Sequence, residues 1–199
     1  MSAVTFDGLA RRILRRRPRL GNTRLVAVDG PSGAGKTRFA DRLAAAVTAV
    51  GGVPAPVVHT DDFLDGWDDQ FTFWGRLDEL VLWPLRSGEP ARHLHYDWER
   101  AGFAGPWVEV PAAPVVIVEG FSAARAVIRP ELTFSVFVTA SPRLRLSRAL
   151  RRDGAGVRPQ LLRWRRQENR HFAADHTAER ADLVVHGVWS REPVVLDRR

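Results

Sequence analysis

The 199 residues, 45% hydrophobic and 27% charged, are enough for one well-buried domain and are too apolar for a disordered chain. No apolar run approaches the ~20 residues that a membrane-spanning helix needs, and the lack of cysteine excludes disulfides and thiolate metal sites. The net charge of +7 suits anionic ligands, but its cations are spread along the chain and form no known nucleic-acid module, so neither nucleic acid nor membrane is expected as a partner.

In chain order, Val4, Phe6, Leu9, Ile13 and Leu14 recur at helical spacing and predict an amphipathic helix over 4–16. No long apolar segment follows its arginines, so no secretory leader is read and a cytoplasmic protein is expected. The run from Leu25 to Asp29 predicts a buried strand of the kind found in parallel sheets. A helix is predicted from Lys36 to Val50, with Phe39, Leu43, Ala46, Val47 and Val50 on one face and Gly51-Gly52 as its stop. Residues 57–60, 115–119, 134–138 and 183–185 predict four further strands. Helices are expected around Leu77, Leu80, Val81 and Leu85, around Leu144, Leu146 and Leu150 behind Pro142, and over the polar stretch 157–180. This alternation predicts an α/β doubly wound sheet in a single domain, 1–199. Residues 61–112 stand apart. They hold five of the seven tryptophans and are rich in Gly, Pro and Asp, and they read as an insertion packed over one end of the sheet.

The segment from Gly30 through Pro31, Ser32, Gly33, Ala34, Gly35 and Lys36 to Thr37 matches G-x-x-x-x-G-K-[ST], between a predicted strand and a predicted helix. A polyphosphate needs several backbone N–H donors converging on it, and glycines let the chain wrap that closely. The following helix adds its N-terminal amides and dipole. Lys36 reaches the terminal phosphates, and the Thr37 hydroxyl can ligate Mg²⁺. Only one of the 30 Lys and Arg residues is a lysine, and it is Lys36. A compact ammonium fits a tight loop where a planar guanidinium does not. The loop therefore predicts ATP and Mg²⁺ as ligands.

Ligands of open α/β sheets bind beyond the carboxyl ends of the strands, and acids stand at two of those ends. Glu119 closes an apolar strand and suits a metal-orienting role together with Thr37. Asp61 suits a general base for a hydroxyl acceptor, with Asp62 as its rival. Arg143, Arg145, Arg148, Arg151, Arg152 and Arg158 form a basic segment. Within it Arg148, Arg152 and Arg158 are the candidates for a lid, spanning 143–178, that stabilises phosphoryl charge and excludes water.

With these motifs quoted, the chain resembles the uridine kinase and phosphoribulokinase family of P-loop kinases. The likeness rests on GPSGAGKT, HTDDF, HYDW, VVIVEG, RLSRALRRD and RADLVV, and covers most of residues 24–186. It departs at Asp62, where the family commonly has a small or hydroxyl residue, and at Trp98-Glu99-Arg100, which lacks the histidine of true uridine kinases. The resemblance implies a five-stranded parallel sheet of order 2-3-1-4-5 with a lid. It also implies ATP-dependent phosphorylation of a small hydroxyl-bearing molecule, a nucleoside first and pantothenate or a sugar phosphate second. It places the base on Asp61 and acceptor contacts on Asp61, Phe63, Tyr96, Asp97 and Trp98. A homo-oligomer is compatible with it. The reading of another class is an ATP-binding regulatory or nucleic-acid-binding P-loop protein.

Overall fold

The computed structural model describes residues 4–189 and 192–196. The chain opens with α1 (Phe6–Leu14), whose first turn is capped by the Thr5 hydroxyl accepting from the Gly8 amide. β1 (Arg24–Asp29) leads into the glycine loop and α2 (Lys36–Gly51), which stops at Gly52 in the left-handed conformation. β2 (Val57–His59) is followed by a 3₁₀ turn over Thr60–Phe63. A bent helical stretch comes next: α3 (Trp74–Leu77), a π turn (Asp78–Leu82) and α4 (Trp83–Arg86). Then come β3 (Ala91–Asp97), β4 (Gly102–Val110), β5 (Val115–Glu119) and β6 (Leu132–Thr139). The chain finishes with α5 (Pro142–Asp153), α6 (Arg158–Asp175), α7 (Thr177–Arg180), β7 (Leu183–His186) and β8 (Val194–Val195).

The main sheet has the order β2-β5-β1-β6-β7-β8. Its first five strands are parallel and, counted by their place in this sheet, run 2-3-1-4-5; β8 is an antiparallel edge strand that the sequence pattern did not announce. β1 and β5 are buried almost throughout, because helices and the insertion cover both faces and leave no polar side. Strand alternation then divides the core. Val26, Val28, Val115 and Ile117 point to the side of α1 and α2, where Phe39 and Leu43 are fully buried. Leu25, Ala27, Val116 and Val118 point to the other side and meet Phe73, Leu77, Val81 and Leu85 of the insertion.

The insertion is therefore more than a cover at one end of the sheet, since its helical stretch supplies the second core. Beyond that stretch, β3 and β4 form a separate antiparallel hairpin. The hairpin meets the 3₁₀ turn after β2 through a polar contact, His95 Nδ1 to Asp62 Oδ1 at 2.7 Å. Among the described residues, no helix is long and apolar enough to cross a membrane.

Candidate active site

The loop between β1 and α2 is folded by its glycines. Gly30, Gly33 and Gly35 take φ values of 141°, 76° and 104°, a region that side chains with a Cβ seldom enter. At Gly30 a Cβ would also overlap the Val138 carbonyl of β6, and at Gly33 the backbone of Arg145. The turn thus lies pressed against β6 and α5. Gly35 is the N-cap of α2, and neither a capping side chain nor an acid stands in the first turn. The leading amides of a 16-residue helix are left for an external anion.

This loop forms the floor of a cavity of about 340 Å³ lined by Ser32, Gly33, Gly35, Lys36 and Thr37, with Asp61, Glu119, Arg148, Arg152 and Gly187 around it. Thr37 Oγ1 donates to Glu119 Oε1 at 3.0 Å, and His59 Nδ1 lies 2.6 Å from the same oxygen. Burial pushes the Glu119 carboxyl up, but the His59 hydrogen bond, the Lys36 charge and the Thr37 hydroxyl outweigh it and hold it below its ordinary value. The same bond raises the His59 imidazole, against the effect of its burial. Asp61 keeps solvent-exposed surface where it lines the cavity. Desolvation in the cleft raises its carboxyl, Lys36 opposes this, and Glu119 adds to it.

A second cavity of about 650 Å³ adjoins the first, walled by Leu64, Trp67, Trp98, Leu161 and Trp164. Trp67 stands 5.4 Å from Trp98 and 6.0 Å from Trp164, ring centre to ring centre. Ser32, Asp61 and Arg152 line both cavities. They are the shared wall between a phosphate-shaped space and an aromatic one.

The residues anticipated from sequence fall into three groups. Lys36, Thr37, Asp61, Glu119, Arg148 and Arg152 converge on the loop cavity, and Trp98 lies in its aromatic neighbour. Phe63 is buried against His93, with ring centres 4.6 Å apart, and Asp97 Oδ1 accepts from the Glu99 and Arg100 amides to close the hairpin turn. Tyr96 packs edge-on against Trp98 and Phe103. These three line neither cavity, and nor does Asp62, held by His95. Arg148 donates to the carbonyls of Gly33, Ala34 and Gly187, so it clasps the loop to the end of β7, whereas Arg152 pairs with Asp153 at the shared wall. Arg158 opens α6, exposed and outside both cavities.

Three participants escaped the sequence reading. His59 carried no signal beyond its place at a strand end. Asp29 is fully buried and accepts from the Gly30 and Ala124 amides; burial pushes its carboxyl up to about 7 against those amides and Lys36. Glu168 of α6 is also fully buried, and its Oε1 accepts from the Ser32 amide at 2.9 Å. A signal for it did exist. Leu161, Trp164 and Glu168 follow helical spacing, which sets the glutamate on an apolar face.

The all-oxygen donor set of Thr37 and Glu119 fits magnesium, which commonly takes one or two protein oxygens and completes its shell with water and substrate phosphates. Among the described residues there is no cluster of three or more His, Asp or Glu that could hold a metal by itself.

No protein-family model matches the chain. Among solved structures, a possible uridine kinase from Bacillus stearothermophilus superposes with a TM-score of 0.66 at 20% identity, covering 90% of this chain and 96% of that one. A Silicibacter sp. TM1040 protein described as a fructose transport system kinase gives 0.63 at 24% identity, covering 89% and 95%. The chain has the fold of the P-loop kinases. Within that fold, the loop, Glu119 and Asp61 stand at the carboxyl ends of β1, β5 and β2, where open sheets of this type bind ligands. Among curated proteins, inorganic pyrophosphatases TTM1 and TTM2 of Arabidopsis thaliana are 30% and 31% identical over 149 residues, 69% of this chain. The chain spans only 22% and 21% of their lengths.

Proposed function

We propose that the chain is an ATP-dependent kinase that transfers the γ-phosphoryl group to a hydroxyl of a small organic acceptor, with a nucleoside as the first choice. The observation that carries this reading is the shared wall: Asp61 and Arg152 face both the phosphate loop and the tryptophan-lined cavity. A hydrolase that only splits phosphoanhydrides has no use for an aromatic chamber beside its phosphate site. A planar or apolar acceptor body does, since aromatic walls bind such groups through buried area and stacking.

In this reading Lys36 and the amides of the loop and of α2 hold the triphosphate. Bound magnesium, held through Thr37 and Glu119, would neutralise phosphate charge. Asp61 takes the proton of the acceptor hydroxyl as its oxygen bonds to the γ-phosphorus. The bond between that phosphorus and the β–γ bridging oxygen breaks, and ADP leaves with the oxygen. The raised affinity of Asp61 for a proton suits a base that must accept one. Arg152 stands where the transferred group crosses and can stabilise its spread charge.

The likeness to fold neighbours described as kinases supports the kinase reading, and the match to the pyrophosphatases supports a second one, hydrolysis of pyrophosphate at the same loop. A coupled ADP-release assay across nucleosides, pantothenate and sugar phosphates, run beside phosphate release from pyrophosphate, separates them. Acceptor-dependent ADP release is the expected result. Phosphate release from pyrophosphate with no acceptor-dependent ADP would replace the kinase with the hydrolase.

A further inference from the structure

Glu168 makes three hydrogen bonds through one oxygen. Its Oε1 accepts from the Ser32 amide at 2.9 Å, the Ser32 hydroxyl at 2.5 Å and the Trp164 indole at 3.0 Å. Ser32 belongs to the phosphate loop and faces both cavities, while Trp164 is a wall of the aromatic one. A carboxylate therefore satisfies donors of a loop in which Asp29 already takes the Gly30 amide and Pro31 the Ala34 amide, while the first turn of α2 has neither a capping side chain nor an acid. Its second oxygen, Oε2, is buried with no hydrogen-bond partner.

Arg145 is the complementary oddity. Its side chain is buried, its Nε and Nη1 lack partners, and its backbone packs on Gly33. Burial lowers its proton affinity and Arg165 lowers it further, while Glu168 acts the other way. Two oppositely charged buried groups, each with unmet hydrogen-bonding capacity, stand on adjacent residues of the loop, Glu168 on Ser32 and Arg145 against Gly33, and are not bonded to each other. Buried polar atoms left unpaired are costly, so such a pair calls for a state in which they meet.

We propose that Glu168 is a resident anion of the phosphate loop, which an incoming triphosphate displaces from Ser32 onto Arg145, moving Trp164 with it. The proposal rests on the reading that the loop binds ATP. A triphosphate brings several negative charges to the loop, and the nearby carboxylate must move or be neutralised. Arg145 offers two unpartnered donor nitrogens, Nε and Nη1, for its landing. Because Trp164 bonds the same oxygen, the aromatic cavity changes shape only when nucleotide is present. Nucleotide and acceptor then bind in order, and by linkage each strengthens the other. Glu168 acts here as a positioning residue, through Ser32 and Trp164.

The test is titration of the full chain with the magnesium complex of the non-hydrolysable β,γ-imido analogue of ATP, following Trp164 emission as wild type minus Trp164→Phe. Wild type is expected to show a saturable change in Trp164 emission. Glu168→Gln is expected to bind the analogue several-fold more tightly, since a competing charge is gone, and to lose the Trp164 change. A carboxylate that merely braces the loop predicts the opposite sign, weaker binding, and that result overturns the proposal. So does a Trp164 change that survives in Glu168→Gln, or analogue binding in wild type with Trp164 silent. If circular dichroism shows Glu168→Gln unfolded, Arg145→Met decides. Weaker binding with loss of the Trp164 change supports the displacement, and unchanged binding refutes it. Wild type that binds no analogue at all overturns the ATP reading itself, a distinct failure.

Discussion

Lys36 and Asp61 both line the loop cavity, and each carries a prediction at the scale of one side chain. Lys36→Ala removes the only lysine of the chain while leaving the glycines, whose positive φ values shape the turn. ATP turnover is expected to vanish with the circular dichroism spectrum unchanged. Asp61→Asn is expected to lower the rate by ~10²–10⁴-fold, as for other lost general bases, whereas Asp62→Asn should act mainly through the His95 pair. Equal losses would place the base elsewhere. Asp61 must be ionised to work, and its carboxyl is raised above its ordinary value by desolvation. The acid limb of kcat/KM should therefore lie above the ordinary aspartate value, with activity rising as pH rises through it. Asp29 gives a stability test. Its proton affinity, pushed up to about 7 in the fold from an ordinary 3.8, means that the folded state binds the extra proton between those values. Its contribution should then weaken as pH rises from about 4 to 7. In urea unfolding, the stability of wild type relative to Asp29→Asn should fall across that window; a rise would refute the assignment.

At the scale of elements, the closest joint lies between the loop and the end of β7. Gly187 approaches so near that a Cβ there would overlap the Ala34 carbonyl, and Arg148 bonds the Gly33, Ala34 and Gly187 carbonyls across the same joint. Gly187→Ala should push the loop out of register and weaken nucleotide binding by at least tenfold in calorimetry, with a lowered Tm. Unchanged affinity would show that the loop is held by other means. This joint also marks where sequence reading stops. The strands of the parallel sheet were legible because burial on both faces demands unbroken apolar runs such as Val115–Val118, and the loop because its chemistry is local. The hairpin was not, since its strands mix polar and apolar residues on an exposed surface. Nor was the turning of Arg148 toward the loop, because one helix carries several arginines and only packing selects among them.

For the molecule as a whole, two cores share one sheet, and the loop cavity and the aromatic cavity sit at the carboxyl edge between them. Core and site can therefore be perturbed separately. Phe39→Ala, in the core beneath α2 and away from both cavities, should cost ~3–5 kcal/mol of stability, with the KM for ATP unchanged in whatever remains folded. The residues of the aromatic cavity were legible only in part. HYDW drew notice to Tyr96, Asp97 and Trp98, yet Trp67 and Trp164, far apart in sequence, complete the aromatic wall, and only the tertiary fold brings them together. Ligand binding should tie the two cores together, since a ligand present at 100 times its Kd adds about 2.7 kcal/mol to the folded state. The most direct measurement is isothermal titration calorimetry of Mg-ATP into wild type and into Lys36→Ala. One saturable site per chain in wild type, at least tenfold weaker in the variant, is the result expected. Absence of binding in wild type, or equal affinity in both, would contradict the central claim that this loop holds a nucleotide triphosphate.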